Sequence, residues 1–169
     1  SEWESWPEFL GKEIKTYIGT SCGAIIAYLL CIGYTPVEIL VFINSNNSLQ
    51  KLKNVNLGKI LSRSGGILSY MIIQEELEKM TIDKIGFLPS MKTMKEKFGK
   101  NLIIVTYNET QSSVEYINPD THADIPCLSA IRMSCNLPFI FDRYKYNNCY
   151  YIDGGIVDNF PIKHVDNGI

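Results

Sequence analysis

Histidine is nearly absent from this chain: His122 and His164 are the only two in 169 residues. That scarcity excludes a histidine-rich metal centre and leaves little from which to build a histidine-based catalytic site. Paired cysteines are missing as well. The five cysteines, Cys22, Cys31, Cys127, Cys135 and Cys149, are odd in number and include no C-x-x-C pair. They argue against a disulfide frame or a zinc site and for buried thiols in a reducing compartment. Positive charge is not in excess, with 16 Lys and Arg against 18 Asp and Glu, so no basic field for nucleic acid exists. Nor is there a long hydrophobic run. The longest, Ala24 to Ile32, is far too short to span a bilayer, and no signal peptide opens the chain. These absences describe a cytoplasmic protein or one peripheral to a membrane, with room for a targeting segment upstream of the acidic, Trp-bearing start at Ser1 to Trp6.

Hydrophobic residues make up 46% and charged residues 20%, which is ordinary globular usage and one domain's worth of core over 1–169. Helix and strand signals alternate. Gly33 reads as a helix C-cap, and Thr35-Pro36 as an N-cap with proline at the first helical position of a helix over Val37 to Ile43. Asn44 to Gly58 reads as an exposed loop, and Ser64-Gly65-Gly66 as a flexible turn before a helix over Ile67 to Lys79. In that helix Leu68, Met71 and Ile72 form the apolar side and Glu75, Glu76 and Lys79 the polar side. A helix over Met91 to Phe98 carries Lys92, Lys95 and Lys97, with Lys100 beyond it, on a solvated face. Contact with anionic lipid would need more charge than these four lysines, partly offset by Glu96, provide.

Leu102 to Tyr107 is a continuous apolar, β-branched run, as in a strand buried on both faces, and Ser113 to Ile117 alternates as a neighbouring strand does. Pro126 opens a short helix through about Ser134, and Tyr146-Asn147-Asn148-Cys149 is a hairpin turn into the strand Tyr150 to Ile152. The class is α/β.

The most informative segment is Gly19-Thr20-Ser21-Cys22-Gly23, between the strand-like Lys15 to Ile18 and the apolar run that follows. It has the G-x-S-x-G form of a nucleophile elbow, in which a sharp strand-to-helix turn holds a serine clear of the backbone. Gly19 and Gly23 would supply the missing Cβ atoms that such a turn requires. An elbow serine needs a base. One design is a Ser-Asp-His triad, which His164 could formally complete after Asp153, although only ten residues separate the two and these include Gly154, Gly155 and Pro161. The other is a carboxylate alone, at a strand end with room for close approach. Asp153-Gly154-Gly155 after Tyr150 to Ile152 has that form, and equally the form of an ordinary Asp-Gly turn. Asp158 is a rival acid without paired glycines.

Together the two segments, G-T-S-C-G at 19–23 and Y-I-D-G-G-I-V-D-N-F-P-I at 151–162, the latter preceded by L-S-A-I-R-M-S-C-N-L-P-F-I-F at 128–141, resemble the patatin-like phospholipase family. The likeness runs from about Ile14 to the C-terminus and is weakest between Asn44 and Lys100. It implies a patatin-type central sheet flanked by helices and no metal or organic cofactor. It also implies a Ser-Asp dyad, with Ser21 as nucleophile and Asp153 as general base, hydrolysing a phospholipid or other lipid ester through an acyl-enzyme. Asn159 and Pro161 match the family's Asn-x-Pro, the Cys22 N–H would be one oxyanion donor, and Cys22 itself would be a small buried hydrophobe. The family's glycine-rich oxyanion loop has no counterpart, since Gly11 is the only glycine before Gly19. The expectation is therefore a domain truncated at both ends and impaired on its own. A catalytically inactive lipid-binding or regulatory module is the alternative.

Overall fold

The structure is a computed structural model, and it describes residues 12–45, 70–136, 144–156 and 161. Among these residues five strands form one mixed sheet: β1 Thr16–Thr20, β2 Asn101–Asn108, β3 Ser113–Ile117, β4 Tyr144–Tyr146 and β5 Cys149–Asp153. Five α-helices accompany them: α1 Cys22–Cys31, α2 Pro36–Ser45, α3 Met71–Ile85, α4 Met91–Phe98 and α5 Cys127–Ser134. A single 3-10 turn, Gly154–Ile156, follows β5. The α/β class and the helix-flanked central sheet are as expected.

β2 organises the sheet. Successive residues Ile104, Val105 and Thr106 are all fully buried, so both faces are covered at the middle of β2, while Ile103 and Tyr107, on the face of Val105, are only half-buried. β3 lies antiparallel along one edge, pairing with Ile104 to Asn108. β1 pairs in parallel with Asn101 to Val105, and β5 pairs antiparallel with Thr106 to Asn108. A strand has only two edges, and β3 overlaps both of these registers. β1 and β5 therefore share the other edge of β2 and meet there end to end. The backbone bonds agree: Asn101 N–H donates to the Lys15 carbonyl and Glu109 N–H to the Tyr150 carbonyl, so odd-numbered residues of β2 face that edge throughout.

The helices then close the core. α1 packs on β1 and β2 through Ala24, Ala27 and Tyr28, α5 packs on β2 and β5, and α3 reaches the sheet through α5. Tyr28 Oη and Thr81 Oγ1 share a buried 2.8 Å hydrogen bond that ties α1 to α3. α2 begins with a reciprocal capping box, Glu38 N–H donating to Thr35 Oγ1 at 3.2 Å and Thr35 N–H to Glu38 Oε2 at 2.7 Å. The Thr35 N–H on that carboxylate, and secondarily the Thr35 hydroxyl and Lys84, hold the Glu38 carboxyl below its usual pKa. The hairpin between β4 and β5 turns on Asn147 and Asn148, both with positive φ (44° and 64°), the conformation of a type I′ turn.

Several expectations change. α3 runs on to Ile85 and stops at Gly86 in the left-handed region. Its inward face is Ile73, Leu77, Met80 and Thr81, while Met71 and Ile72 are 65% and 44% exposed. The pattern of polar residues misled because Glu75 and Glu76 fix only the outer side, and the tertiary partner α5 selects the rest. Lys100 is buried rather than solvated: its ammonium donates to the Ile14 carbonyl at 2.6 Å and lies 5.7 Å from the Tyr17 ring. Burial, with Lys15 nearby, lowers its pKa. Lys95 and Lys92 instead pair with Asp120 and Glu96. The apolar run of α1 is not wholly inward either, since Ile26 is exposed. The loop expected from Asn44 starts later, since α2 runs through Asn44 to Ser45; the rest of that loop to Gly58, the turn at Ser64-Gly65-Gly66, and His164, Asp158 and Asn159 lie outside the described residues. No helix among the described residues is long and apolar enough to cross a membrane.

Candidate active site

Ser21 stands between the end of β1 and the first residue of α1 with φ 56° and ψ −124°. A residue with a Cβ pays in strain for such a conformation, about 1–3 kcal/mol, and holds it only where its surroundings dictate it. Two features dictate it here. Gly19 lies so close to the start of α1 that a Cβ would sit 2.6 Å from Ala24 N, so only glycine lets strand and helix approach. On the other side the Ser21 carbonyl accepts from Ala24 N–H at 2.9 Å, committing the helix to begin at once. The Ser21 side chain makes no capping bond to α1, which leaves its hydroxyl unspent at the mouth of the helix. Gly23 is different from Gly19. A Cβ there meets nothing within 4 Å, and the residue is exposed. The expected need for glycine on both sides of the turn is thus corrected: it holds for Gly19 alone.

Asp153 ends β5 opposite Thr106 and is 3% exposed. Its Oδ1 accepts from Gly155 N–H at 2.7 Å, and its own amide donates to the Asn136 carbonyl at 3.0 Å. Gly154 explains why a glycine follows: a Cβ would lie 2.6 Å from the Val105 carbonyl oxygen, a fixed backbone atom. Thr20 is the register partner of Val105 and Asp153 that of Thr106. Ser21 and Asp153 therefore occupy the two strand ends that meet head-on beside β2. Pro161 is buried.

The C-terminal end of α5 knits both ends to β2. Ser134 Oγ accepts from the Ser21 amide at 2.8 Å and donates to the Val105 carbonyl at 2.5 Å. Thr106 Oγ1 lies 2.9 Å from the Met133 carbonyl and 3.1 Å from that of Ile152. Asn136 Nδ2 donates to the Tyr151 carbonyl at 2.9 Å, while its Oδ1 accepts from Arg132 Nη1 at 3.1 Å. Arg132 is itself buried between the rings of Tyr70 and Tyr144, at 4.3 and 5.1 Å from their centroids. None of the roles of Ser134, Thr106 and Asn136 was anticipated. The only signal for Ser134 and Asn136 was the polar spacing S-x-N at the end of α5, which says nothing about which distant carbonyls are met.

The thiols divide. Cys31, Cys127 and Cys135 are buried, and burial pushes Cys31 up to about 12 and raises Cys127 and Cys135 further from their ordinary value. These stay protonated and inert as nucleophiles. Cys149 is half-buried, and Cys22 is exposed, which overturns the expectation of a small buried hydrophobe: the first turn of α1 points Cys22 and Gly23 outward and Ala24 inward. His122 sits in the loop before α5, its Nδ1 2.7 Å from Thr121 Oγ1 and its carbonyl accepting from Ile125 N–H. That loop is bonded to the start of α4 through Lys92 N–H and the Ala123 carbonyl, away from the strand ends that carry Ser21 and Asp153.

A family model for the patatin-like phospholipases matches residues 3–166. The chain belongs to that family. Among curated proteins it is 38% identical over 156 residues to a probable lipid hydrolase of Invertebrate iridescent virus 6, covering 89% of this chain and 53% of the relative. It is 30% identical over 160 residues to an uncharacterized protein of Acanthamoeba polyphaga mimivirus, covering 94% of this chain and 52% of that one. An uncharacterized Bacillus subtilis protein, YqhO, is also 30% identical, over 90% of this chain and 57% of its own. The chain thus spans about half the length of the curated relatives it matches. The crystal structure of VipD from Legionella pneumophila superposes with a TM-score of 0.60 at 16% identity, over 95% of this chain and 42% of VipD. At that identity the likeness is one of fold, and it places this patatin-like chain on the same architecture.

Proposed function

We propose that this chain carries the catalytic centre of a lipid acyl hydrolase of phospholipase A or esterase type, with Ser21 as nucleophile and Asp153 as general base. The observation that carries the reading is the meeting of β1 and β5 on one edge of β2, which sets a strained, uncapped serine and a buried aspartate at facing strand ends. Family membership and the viral relative described as a probable lipid hydrolase support the substrate class.

The chemistry follows from the two groups. Asp153 accepts the Ser21 hydroxyl proton as Oγ bonds to the ester carbonyl carbon. The carbonyl electrons move onto oxygen, where the Cys22 N–H at the start of α1 is one donor and the helix dipole favours the negative charge. The intermediate collapses with loss of the alcohol, which leaves with the proton from Asp153, and Ser21 holds the acyl group. Water then gives a proton to Asp153 and attacks the acyl carbon, the Ser21–acyl bond breaks, and the carboxylic acid is released as Ser21 regains its proton. An aspartate serves here because its carboxylate is fixed by Gly155 N–H through one oxygen, leaving the other for the serine. The reaction would take place at a lipid surface in a reducing compartment, the protein being cytoplasmic or peripheral to a membrane.

The test is made in the full-length protein. Ser21→Ala abolishes hydrolysis of a lipid ester and labelling by a fluorophosphonate, and Asp153→Asn lowers kcat by about the same several powers of ten. Undiminished turnover in Ser21→Ala overturns the reading. A parent protein that neither turns over esters nor takes the probe is instead an inactive lipid-binding module on the same fold.

A further inference from the structure

The ladder between β1 and β2 is parallel, and in it every second residue of β2 faces β1. Asn101 N–H takes the Lys15 carbonyl, one residue before its register partner Thr16. By the same alternation each such residue's carbonyl accepts from the residue after its partner. Val105 is partnered with Thr20, so the regular continuation would place the Ser21 amide on the Val105 carbonyl. That bond is not made directly. The Ser134 hydroxyl stands in the gap, accepting from Ser21 N–H at 2.8 Å and donating to Val105 C=O at 2.5 Å.

We propose that Ser134 is a positioning residue for Ser21. Its hydroxyl splices the last rung of the β1–β2 ladder, so that the chain leaves the sheet at Thr20 and Ser21 is held in its strained, outward conformation. The inference rests on the reading of Ser21 as the nucleophile.

Three details favour a placed hydroxyl over an incidental one. A helical serine commonly turns its proton back onto its own helix, whereas Ser134 spends its proton on β2. Its side chain is fully buried, so no bulk water competes for either partner. The end of α5 that carries it is fixed independently, by Thr106 Oγ1 on the Met133 carbonyl and by the Asn136 carbonyl on Asp153 N–H. The same Val105 oxygen also lies against Gly154, so the hydroxyl is set where the two strand ends meet. Without it, Ser21 N–H and Val105 C=O either stand unpaired in a buried site or close on each other. Closure would extend β1 by one rung and draw Ser21 back toward the sheet, and a nucleophile displaced by about 1 Å loses on the order of a hundredfold in rate.

The experiment compares Ser134→Thr with Ser134→Val in the full-length protein, since the two side chains share a shape and only threonine keeps the hydroxyl. Initial rates on a p-nitrophenyl ester give kcat and KM, fluorophosphonate labelling reads the presentation of Ser21 directly, and thermal unfolding reports the folded fraction. The expected result is a kcat about 10- to 100-fold lower in the valine variant than in the threonine variant, with labelling slowed in parallel and KM alike within about twofold. Threonine and valine variants that match, in turnover or in failure to fold, overturn the role of Ser134. Ser21→Ala separates the two readings: if it is inactive while the threonine and valine variants match, only the positioning role falls, and if it retains activity, the nucleophile reading falls first.

Discussion

The turn at Ser21 is shaped largely from inside its own segment, whereas the turn at Asp153 is shaped from remote parts of the chain. Around Ser21, Gly19 lies against Ala24 and the Ser21 carbonyl takes Ala24 N–H, with Ser134 the long-range tie. Around Asp153, the amide bonds to Asn136 and Gly154 presses on Val105, while the one local bond runs from Gly155 N–H. The Ser21 half therefore takes most of its shape from its own strand and helix, with the remote Ser134 hydroxyl closing the last rung. The Asp153 half exists only when α5 and β2 are in place, so packing changes there report on the whole sheet.

The largest effects should come from adding one methyl group at each close approach. Gly19→Ala drives a Cβ into the backbone of Gly23 and Ala24, and Gly154→Ala drives one to within 2.6 Å of the Val105 oxygen. Neither neighbour is a flexible side chain, so the cost lies at the upper end of overpacking, about 3 kcal/mol or more, visible as a fall in the denaturation midpoint with loss of the proposed esterase activity. The comparison predicts a difference in kind. Gly19→Ala separates α1 from β1 locally, while Gly154→Ala strains β2 itself and should loosen hydrogen-exchange protection in β1, β3 and β5 together. Protection lost equally in both variants would break the distinction.

A smaller effect tests the Asp153 half alone. Asn136→Ala removes a buried amide that serves the Tyr151 carbonyl and accepts from Arg132, leaving both without that partner. The cost of such orphaned groups is about 2 kcal/mol, measured by urea unfolding. Because the Asn136 carbonyl that holds Asp153 is backbone, activity should fall less than stability does, and a loss of turnover with unchanged stability would show that the side chain acts on Asp153 directly.

That contrast also explains what the sequence made legible. The elbow was readable because its geometry needs residues within a five-residue window, and α4 keeps its expected bounds, closed at one end by Ser90, which accepts from Thr93 N–H, and at the other by Gly99 with φ 64°. The central strand was readable from its apolar run, although full cover on both faces is reached only around Val105 and Ile103 stays half-buried. The inward face of α3 was not, because Ile72 and Ile73 are chemically alike and the choice between them is made by what packs opposite. The joining of the two halves was not either. Nothing local in Leu128 to Ser134 distinguishes a serine that bridges two strands from one that bonds its own helix. The buried Lys100 failed for the same reason, its partner being the carbonyl of Ile14.

The smallest effect is the sharpest test of how local the elbow is. In the motif Gly19 and Gly23 look equivalent, but a Cβ at Gly23 meets nothing within 4 Å, and the residue carries no positive φ. Alanine there replaces the residue with the greatest unfolded-state freedom by a good helix former in the first turn of α1, a change of about 0.5 kcal/mol in favour of folding. Gly23→Ala should leave kcat on a small ester within about twofold of the parent and raise the thermal midpoint slightly, in contrast to Gly19→Ala one turn of chain away. If Gly23→Ala instead matches Gly19→Ala in lost stability, the strain of Ser21 is shared across both glycines, and the elbow depends on its helix as much as on its strand.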